Sequence, residues 1–286
     1  MIDSEKSADA KGHGRFRARI RLIGLPTDSH SSFLRGAAAA PAAIRAALAS
    51  DHANQAAENG LELGTDIAFD DIGDLPLDET AADFDRIREA CTAAARDGDI
   101  PISLGGDHMI SFPAVAGLAE VHGPLNILHF DAHPDLYEDY DGDPLSHASP
   151  FARIMEGGHA SRLVQVGIRT LNRHCREQAS RYGVEMVEMR DFTPAAVPIP
   201  DAPLYISIDL DALDPAFAPG VSHHEPGGLT SRELIAVLHR VRGPIVGADI
   251  VELNPSRDPT GITATLAAKL VKELAALAHG GLYADA

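Results

Sequence analysis

The chain has only two cysteines, Cys91 and Cys175, too few for a disulfide framework and suited to a reducing compartment. No apolar stretch reaches the roughly 18 residues that would cross a bilayer, so no membrane partner is expected. Positive charge is also short. The 24 Lys and Arg stand against 42 Asp and Glu, and the formal charge of −18 repels nucleic-acid phosphates. Residues 1–13 lack the apolar core of a secretory signal, and Asp3, Glu5 and Asp9 speak against a transit peptide. These absences predict a cytoplasmic protein with a disordered tail over residues 1–18. No repeat, low-complexity block or linker divides the remainder, which predicts a single catalytic domain over 19–286, a size α/β folds often reach as one unit.

What the chain does have is a series of apolar runs rich in Ile, Val and Leu, at 20–25, 67–72, 100–104, 125–131, 163–168, 184–189, 204–209 and 245–251. Most are continuous rather than alternating, the pattern of strands buried on both faces. Helical stretches fall between them at 38–50, 80–95, 149–156, 172–182, 231–241 and 259–279. Pro41 lies near the start of the first, where a missing N–H costs nothing. Thr230 with Glu233 three residues on marks a helix start, and Gly280-Gly281 a stop. Strands alternating with helices predict an α/β fold with a mainly parallel sheet of about eight strands and helices on both faces.

Four short stretches carry candidate chemistry: Gly105-Gly106-Asp107-His108, Asp131-Ala132-His133-Pro134-Asp135, Asp209-Leu210-Asp211 and Asp249-Ile250-Val251-Glu252. His108, Asp131, Asp209 and Glu252 each sit at or just after a predicted strand end, the rim where ligands gather in parallel sheets. Singly, an Asp there is usually a helix N-cap and a Gly-Gly usually a turn. Jointly they offer His108, Asp131, His133, Asp135, Asp209 and Asp211, two imidazoles and four carboxylates with no cysteine. That donor set suits Mn best among divalent ions. The side-chain period of two in a strand turns Asp209 and Asp211 to the same side, and Asp131, His133 and Asp135 obey the same rule. Two doubly charged ions balance four carboxylates and make a water between them easy to ionise near neutral pH. The pattern points to a two-metal hydrolase.

These residues resemble the ureohydrolase superfamily of arginases, agmatinases and formimidoylglutamases over about residues 20–274. The likeness is carried by Ser32-Phe33-Leu34-Arg35-Gly36, by the Gly105–His108 and Asp131–Asp135 motifs, and by Ser207-Ile208-Asp209-Leu210-Asp211-Ala212-Leu213-Asp214-Pro215. Ala218-Pro219-Gly220 and Asp249-Ile250-Val251-Glu252-Leu253-Asn254-Pro255 add to it, and residues 146–158 and 220–228 are most similar to plant-type arginases. The resemblance implies a three-layer α/β/α fold, two Mn2+ ions per subunit and a homo-oligomer, trimer or hexamer. It implies hydrolysis of a small cationic guanidino substrate to urea and an amine. One ion would be held by His108, Asp131, Asp135 and Asp209, the other by Asp131, His133, Asp209 and Asp211. Asp135 and His147 would bring a proton to the leaving nitrogen. Glu252 would bind the guanidinium by charge-assisted hydrogen bonds.

Substrate choice rests on fewer residues. Animal arginases grip the α-groups of arginine in part through an Asn after the second metal motif, and Leu136-Tyr137-Glu138-Asp139-Tyr140 has none. Asn172 falls where those enzymes place a carboxylate facing the α-amino group, and Ser146 is a second polar candidate. His223 and His224 either line the pocket or form a solvated loop pair. Glu138, Asp139, Asp141 and Asp143 read as a solvated loop that favours cationic substrates. L-Arginine, giving L-ornithine, is the first choice, with agmatine or another guanidino compound as the alternative. A non-catalytic binding protein would ordinarily have lost metal ligands, and all six are present. A phosphoesterase would want Lys or Arg beside the metals, and the four motifs contain none.

Overall fold

The computed structural model of the chain describes residues 19–51, 53–243 and 245–280; the tail expected over 1–18 lies outside them. Eight strands form one sheet: β1 (Arg19–Gly24), β2 (Ala68–Asp74), β3 (Ile100–Leu104), β4 (Leu125–Phe130), β5 (Ala160–Ile168), β6 (Glu185–Glu188), β7 (Leu204–Asp209) and β8 (Ile245–Val251). Their order is β2-β1-β3-β8-β7-β4-β5-β6, and every pairing is parallel. β7 is buried at each of its six positions, whereas the edge strands β2 and β6 carry Asp70, Asp71, Glu185 and Glu188. Charged side chains at sheet edges discourage pairing with other chains.

Seven α-helices accompany the sheet among the described residues: α1 (Ala40–Leu48), α2 (Ala82–Arg96), α3 (Ser111–His122), α4 (Pro150–Glu156), α5 (Arg173–Tyr182), α6 (Ser231–Leu238) and α7 (Ile262–Ala278). One apolar layer joins Ile44 of α1, Leu234 of α6 and Leu270 of α7 to Leu22, Leu128, Ile206 and Ile250 of the strands. The other joins Ile87 of α2, Val115 of α3 and Ile154 of α4 to Ile23, Ile127, Tyr205 and Val251. Successive strand residues thus feed opposite layers, the direct result of the two-residue period, and the fold is three-layered α/β/α. None of these helices is long and apolar enough to cross a membrane.

The expected strands at 100–104, 204–209 and 245–251 coincide with the observed ones, and the others differ by a few residues at their ends. At α6 the Thr230 hydroxyl accepts from Glu233 N while the Glu233 carboxylate accepts from Thr230 N, a complete capping box. α7 starts at Ile262 rather than 259 because Gly261 is left-handed, with φ 69° and ψ 14°, and a right-handed helix cannot run through it. α3 is the helix that periodicity does not announce. Its residues from Pro113 to Leu118 are buried nearly all round, so no polar stripe marks it.

Candidate metal and active site

The four motifs lie on four adjacent strands, β3-β8-β7-β4, at the centre of the sheet. The chain leaves β3, passes over the places of β8 and β7 to enter β4, moves outward through β5 and β6, and then returns to fill the gap. That reversal opens a crevice at the strand ends, as in other open α/β sheets. The turn after β3 requires glycine, since a Cβ on Gly106 would lie 1.6 Å from the carbonyl oxygen of Thr27. Asp107 then caps a short helical turn by accepting from Met109 N at 3.1 Å, which drives the buried His108 inward.

Nδ1 of His108 faces one oxygen from each of Asp131, Asp135 and Asp209 at 3.2, 3.1 and 3.2 Å. It makes no well-formed hydrogen bond to any of them. A second cluster stands alongside, with His133 Nδ1 3.3 Å from Asp131 Oδ1 and 3.0 Å from Asp211 Oδ2. Asp131 therefore turns Oδ2 toward one histidine and Oδ1 toward the other. Such a concentration of buried negative charge demands cations. Burial pulls the His108 ring down in pKa, yet Asp131, Asp135 and Asp209 lift it well above the usual histidine range. Burial and its carboxylate neighbours Asp211 and Asp131 push Asp209 up. For Asp135, burial and Asp131 act in the same direction. Two oxygen-rich sites that share Asp131 and are completed by one imidazole each fit a pair of divalent metal ions.

Hydrogen bonds behind the ligands fix their tautomers. Ser207 Oγ donates to Asp249 Oδ1 at 2.7 Å, so it accepts from His108 Nε2 at 2.9 Å. Nδ1 is then the nitrogen directed at the carboxylates, and its lone pair is the one a metal would take in place of a proton. Asp249 is fully buried and accepts also from Ser111 Oγ at 2.7 Å and Tyr205 OH at 2.6 Å. His129 Nε2 lies 2.9 Å from Asp131 Oδ2, and Gln165 Nε2 donates to its Nδ1 at 3.1 Å. No motif spacing points to His129, Gln165 or Tyr205. Their one signal is a polar group inside an otherwise apolar strand.

Above this floor is a cleft of about 200 Å³ lined by Asp135, Asp209, Asp211, His133, His147 and Glu252, with Ser32, Tyr137 and His223 toward its mouth. Glu252 Oε1 accepts from His108 N at 2.9 Å and lies 2.8 Å from His147 Nδ1, so both contacts fall on one oxygen. Burial raises the Glu252 carboxyl, but His147 and the His108 N–H outweigh it and hold it low. His147 is pulled down by burial and pushed up, to about 9, by Glu252, Asp107 and Asp135. Asp135 and Glu252 both have left-handed backbones, φ 50° and 65°, a strained conformation for such residues and one that gathers at functional sites.

The residues expected to read the rest of the substrate are dispersed. His223 lines the cleft, its ring 5.3 Å from that of His147 and 5.8 Å from that of His133. His224 points elsewhere, with Nε2 2.7 Å from the carbonyl oxygen of Pro219. Ser146 is buried, and its hydroxyl accepts from Ala148 N. Asn172 caps α5, its Oδ1 accepting from Cys175 N at 2.9 Å, while its Nδ2 donates to Tyr137 OH at 2.5 Å. Neither Asn172, Ser146 nor His224 is on the cleft wall.

Residues 18–276 match the model of the Arginase family. The chain is 48% identical over 280 residues to "Arginase 1, mitochondrial" of Arabidopsis thaliana, covering 92% of this chain and 82% of that one. It is 33% identical over 262 residues to an agmatinase of Bacillus subtilis (strain 168), covering 88% and 89%. The fold superposes on a solved arginase from Medicago truncatula with a TM-score of 0.88 at 47% identity, covering 93% of this chain and 89% of the other. The expected cytoplasmic location is overturned here, because similar plant arginases are named mitochondrial or chloroplastic/mitochondrial. The composition of the first 13 residues is therefore no guide to compartment.

Proposed function

The chain belongs to the arginase family, whose members are hydrolases of C–N bonds in linear amidines, and from this premise we propose that it converts L-arginine to L-ornithine and urea at a pair of Mn ions. The observation that carries the choice of arginine is the greater identity to a plant arginase than to an agmatinase. Manganese is supported by the donor set of four carboxylates and two imidazoles. His108, Asp131, Asp135 and Asp209 would hold one ion, and Asp131, His133, Asp209 and Asp211 the other. When bound, the ions supply Lewis acidity and lower the pKa of a water toward neutrality.

The chain's own groups do the rest. The Glu252 carboxylate, with Oε1 already engaged, has Oε2 for the guanidinium, and charge-assisted hydrogen bonds orient the substrate carbon over the floor. An amine leaves poorly as an anion, so a proton must reach the leaving nitrogen. Asp135 and His147 line the same cleft and are the groups able to hold that proton. His223, pulled down by burial, stays neutral beside them and adds no charge to repel a cationic substrate.

Residues 19–286 form one catalytic domain in this proposal. The exposed Phe33, Phe217 and Ile262 support a homo-oligomer, and the plant relatives support an organellar setting. Agmatine is the second reading, favoured by Asn172 standing off the cleft wall. Urea release from arginine, agmatine, guanidinobutyrate and guanidine, with and without Mn, tests both. Arginine turnover that needs Mn is expected, and a preference for agmatine overturns the choice of substrate.

A further inference from the structure

Arg169 directs its guanidinium at backbone carbonyls rather than at a carboxylate. Nε donates to the carbonyl oxygen of Glu225 at 3.0 Å, and Nη1 donates to those of Gly167 and Ala212 at 3.0 and 3.1 Å. Nη2 reaches the carbonyl oxygens of Asp211, Leu213 and Glu225 at 2.7, 3.3 and 2.6 Å. A guanidinium is a rigid planar fork of N–H donors, so it holds the carbonyls it meets in fixed places relative to one another.

Arg169 follows β5, and its side chain passes β4 to reach the turn after β7. Its backbone closes a circuit there. Arg169 N and Thr170 N donate to the carbonyl oxygen of Ala132 at 2.9 and 3.1 Å, and Thr170 Oγ1 joins them at 2.9 Å. Ala132 N in turn donates to Asp211 Oδ1 at 3.1 Å, and the Asp211 carbonyl oxygen accepts from Arg169 Nη2, which completes the ring. The ring ties the Asp131-Ala132-His133 segment to Asp209-Leu210-Asp211. It therefore sets the gap across which His133 Nδ1 and Asp211 Oδ2 face each other at 3.0 Å. Its bonds reach neither His108 nor Asp135, and Asp131 keeps a separate support in the 2.9 Å contact with His129 Nε2.

Building on the two-metal hydrolase reading above, we propose that Arg169 is a positioning residue for one ion of the pair, the one held by His133 and Asp211. Ligands that come from two separate strand ends bind an ion tightly only if their spacing is held before the ion arrives. Arg169 holds that spacing from behind, by its backbone on one segment and its guanidinium on the other. The ion beside His108 draws on Asp135 and on the turn after β3, which Arg169 does not brace, so its affinity is set elsewhere.

The test titrates Mn by calorimetry into the metal-stripped full chain, unaltered and as Arg169→Met and Arg169→Lys. Methionine keeps an apolar stem and loses every donor, whereas lysine keeps the charge but donates from a single point. The unaltered protein should take up two Mn. Arg169→Met should hold one as before and bind the other about 10- to 100-fold more weakly, the usual effect of losing a group behind a metal ligand. Arg169→Lys should fall between them, and it carries the test should Arg169→Met fail to fold. Adding Arg169→Met to His133→Asn should leave the affinity of the remaining ion unchanged, whereas adding it to His108→Asn should weaken it. A general loosening of the fold would instead weaken both ions together. Equal weakening of the two, unchanged affinity in both Arg169 variants, or a further loss in the His133→Asn background each overturns the proposal. An unaltered protein that takes up two Mn yet releases no urea overturns only the hydrolase reading, and one that binds no Mn overturns both.

Discussion

The floor of the cleft and its mouth are built by different means. On the floor, His108, Asp131, Asp209 and Glu252 stand at or just beyond the ends of four adjacent strands, and sheet register with the short turns that follow places them together. At the mouth, Ser32, Tyr137 and His223 come from three loops that meet only through tertiary contacts, such as the 5.5 Å approach of the Phe33 and His223 rings. The floor is buried and dense with charge, while the mouth is part-exposed and mostly neutral. On the proposed roles, reaction type would rest on the regular scaffold and substrate choice on the loops it displays.

If the contrast holds, changes on the floor should remove chemistry and changes at the mouth should redirect it. The largest effect is expected from Asp135→Asn, which in the proposed roles would lose a ligand charge and a proton carrier. Its kcat should fall by about 10²–10⁴-fold, the range for loss of a positioned acid or base. Glu252→Gln should retain both metals and raise KM by about 10- to 100-fold, the worth of a hydrogen bond to a charged group. Metal analysis beside the kinetics separates the two, and equal metal loss in both variants would contradict their separate roles.

The mouth is tested by kcat/KM for arginine against agmatine, which differ only in the α-carboxylate. A pocket that hydrogen-bonds this group should favour arginine by at least about tenfold. Asn172→Ala should narrow that ratio a few-fold by releasing Tyr137, and lower stability by about 1 kcal/mol through loss of the α5 cap. An unchanged ratio would leave Tyr137 without a part in selection.

The smallest effect concerns pH. His147 holds its proton up to about 9, chiefly against burial and because of Glu252, so kcat should decline as pH rises through that value. In Glu252→Gln the decline should begin at lower pH. Since the unfolded ring titrates near about 6.5, the pairing stabilises the fold fully below that pH, and the contribution is lost as pH rises through about 9. Thermal melts between these limits check the sign.

The same contrast explains what could be read from the chain. Continuous apolar runs mark β3, β7 and β8 to the residue, and motifs following β3, β4 and β7 name all six candidate ligands, because a strand end is a local property; Asp211 lies in a helical turn and Asp135 in a left-handed loop position, so strand period does not place them. α3 escaped because burial on every side erases the helical stripe. Ser32 and Tyr137 gave no local signal of standing beside His147 and Asn172, residues more than 30 positions away in each case. Asn172 was placed near the substrate by likeness, yet its amide is used for capping α5 and holding a tyrosine.

Asp135 has two properties that work against the folded chain. Its backbone is left-handed, with φ 50°, and its carboxyl is buried against that of Asp131. Asparagine removes the second, since it carries no charge, and it tolerates this backbone region as aspartate does. The variant with the least turnover is therefore expected to melt higher than the unaltered protein when both are stripped of metal. A selection for thermal robustness carried out in chelator would drive this chain away from catalysis, one carboxylate at a time, whereas the same selection with Mn present would keep it.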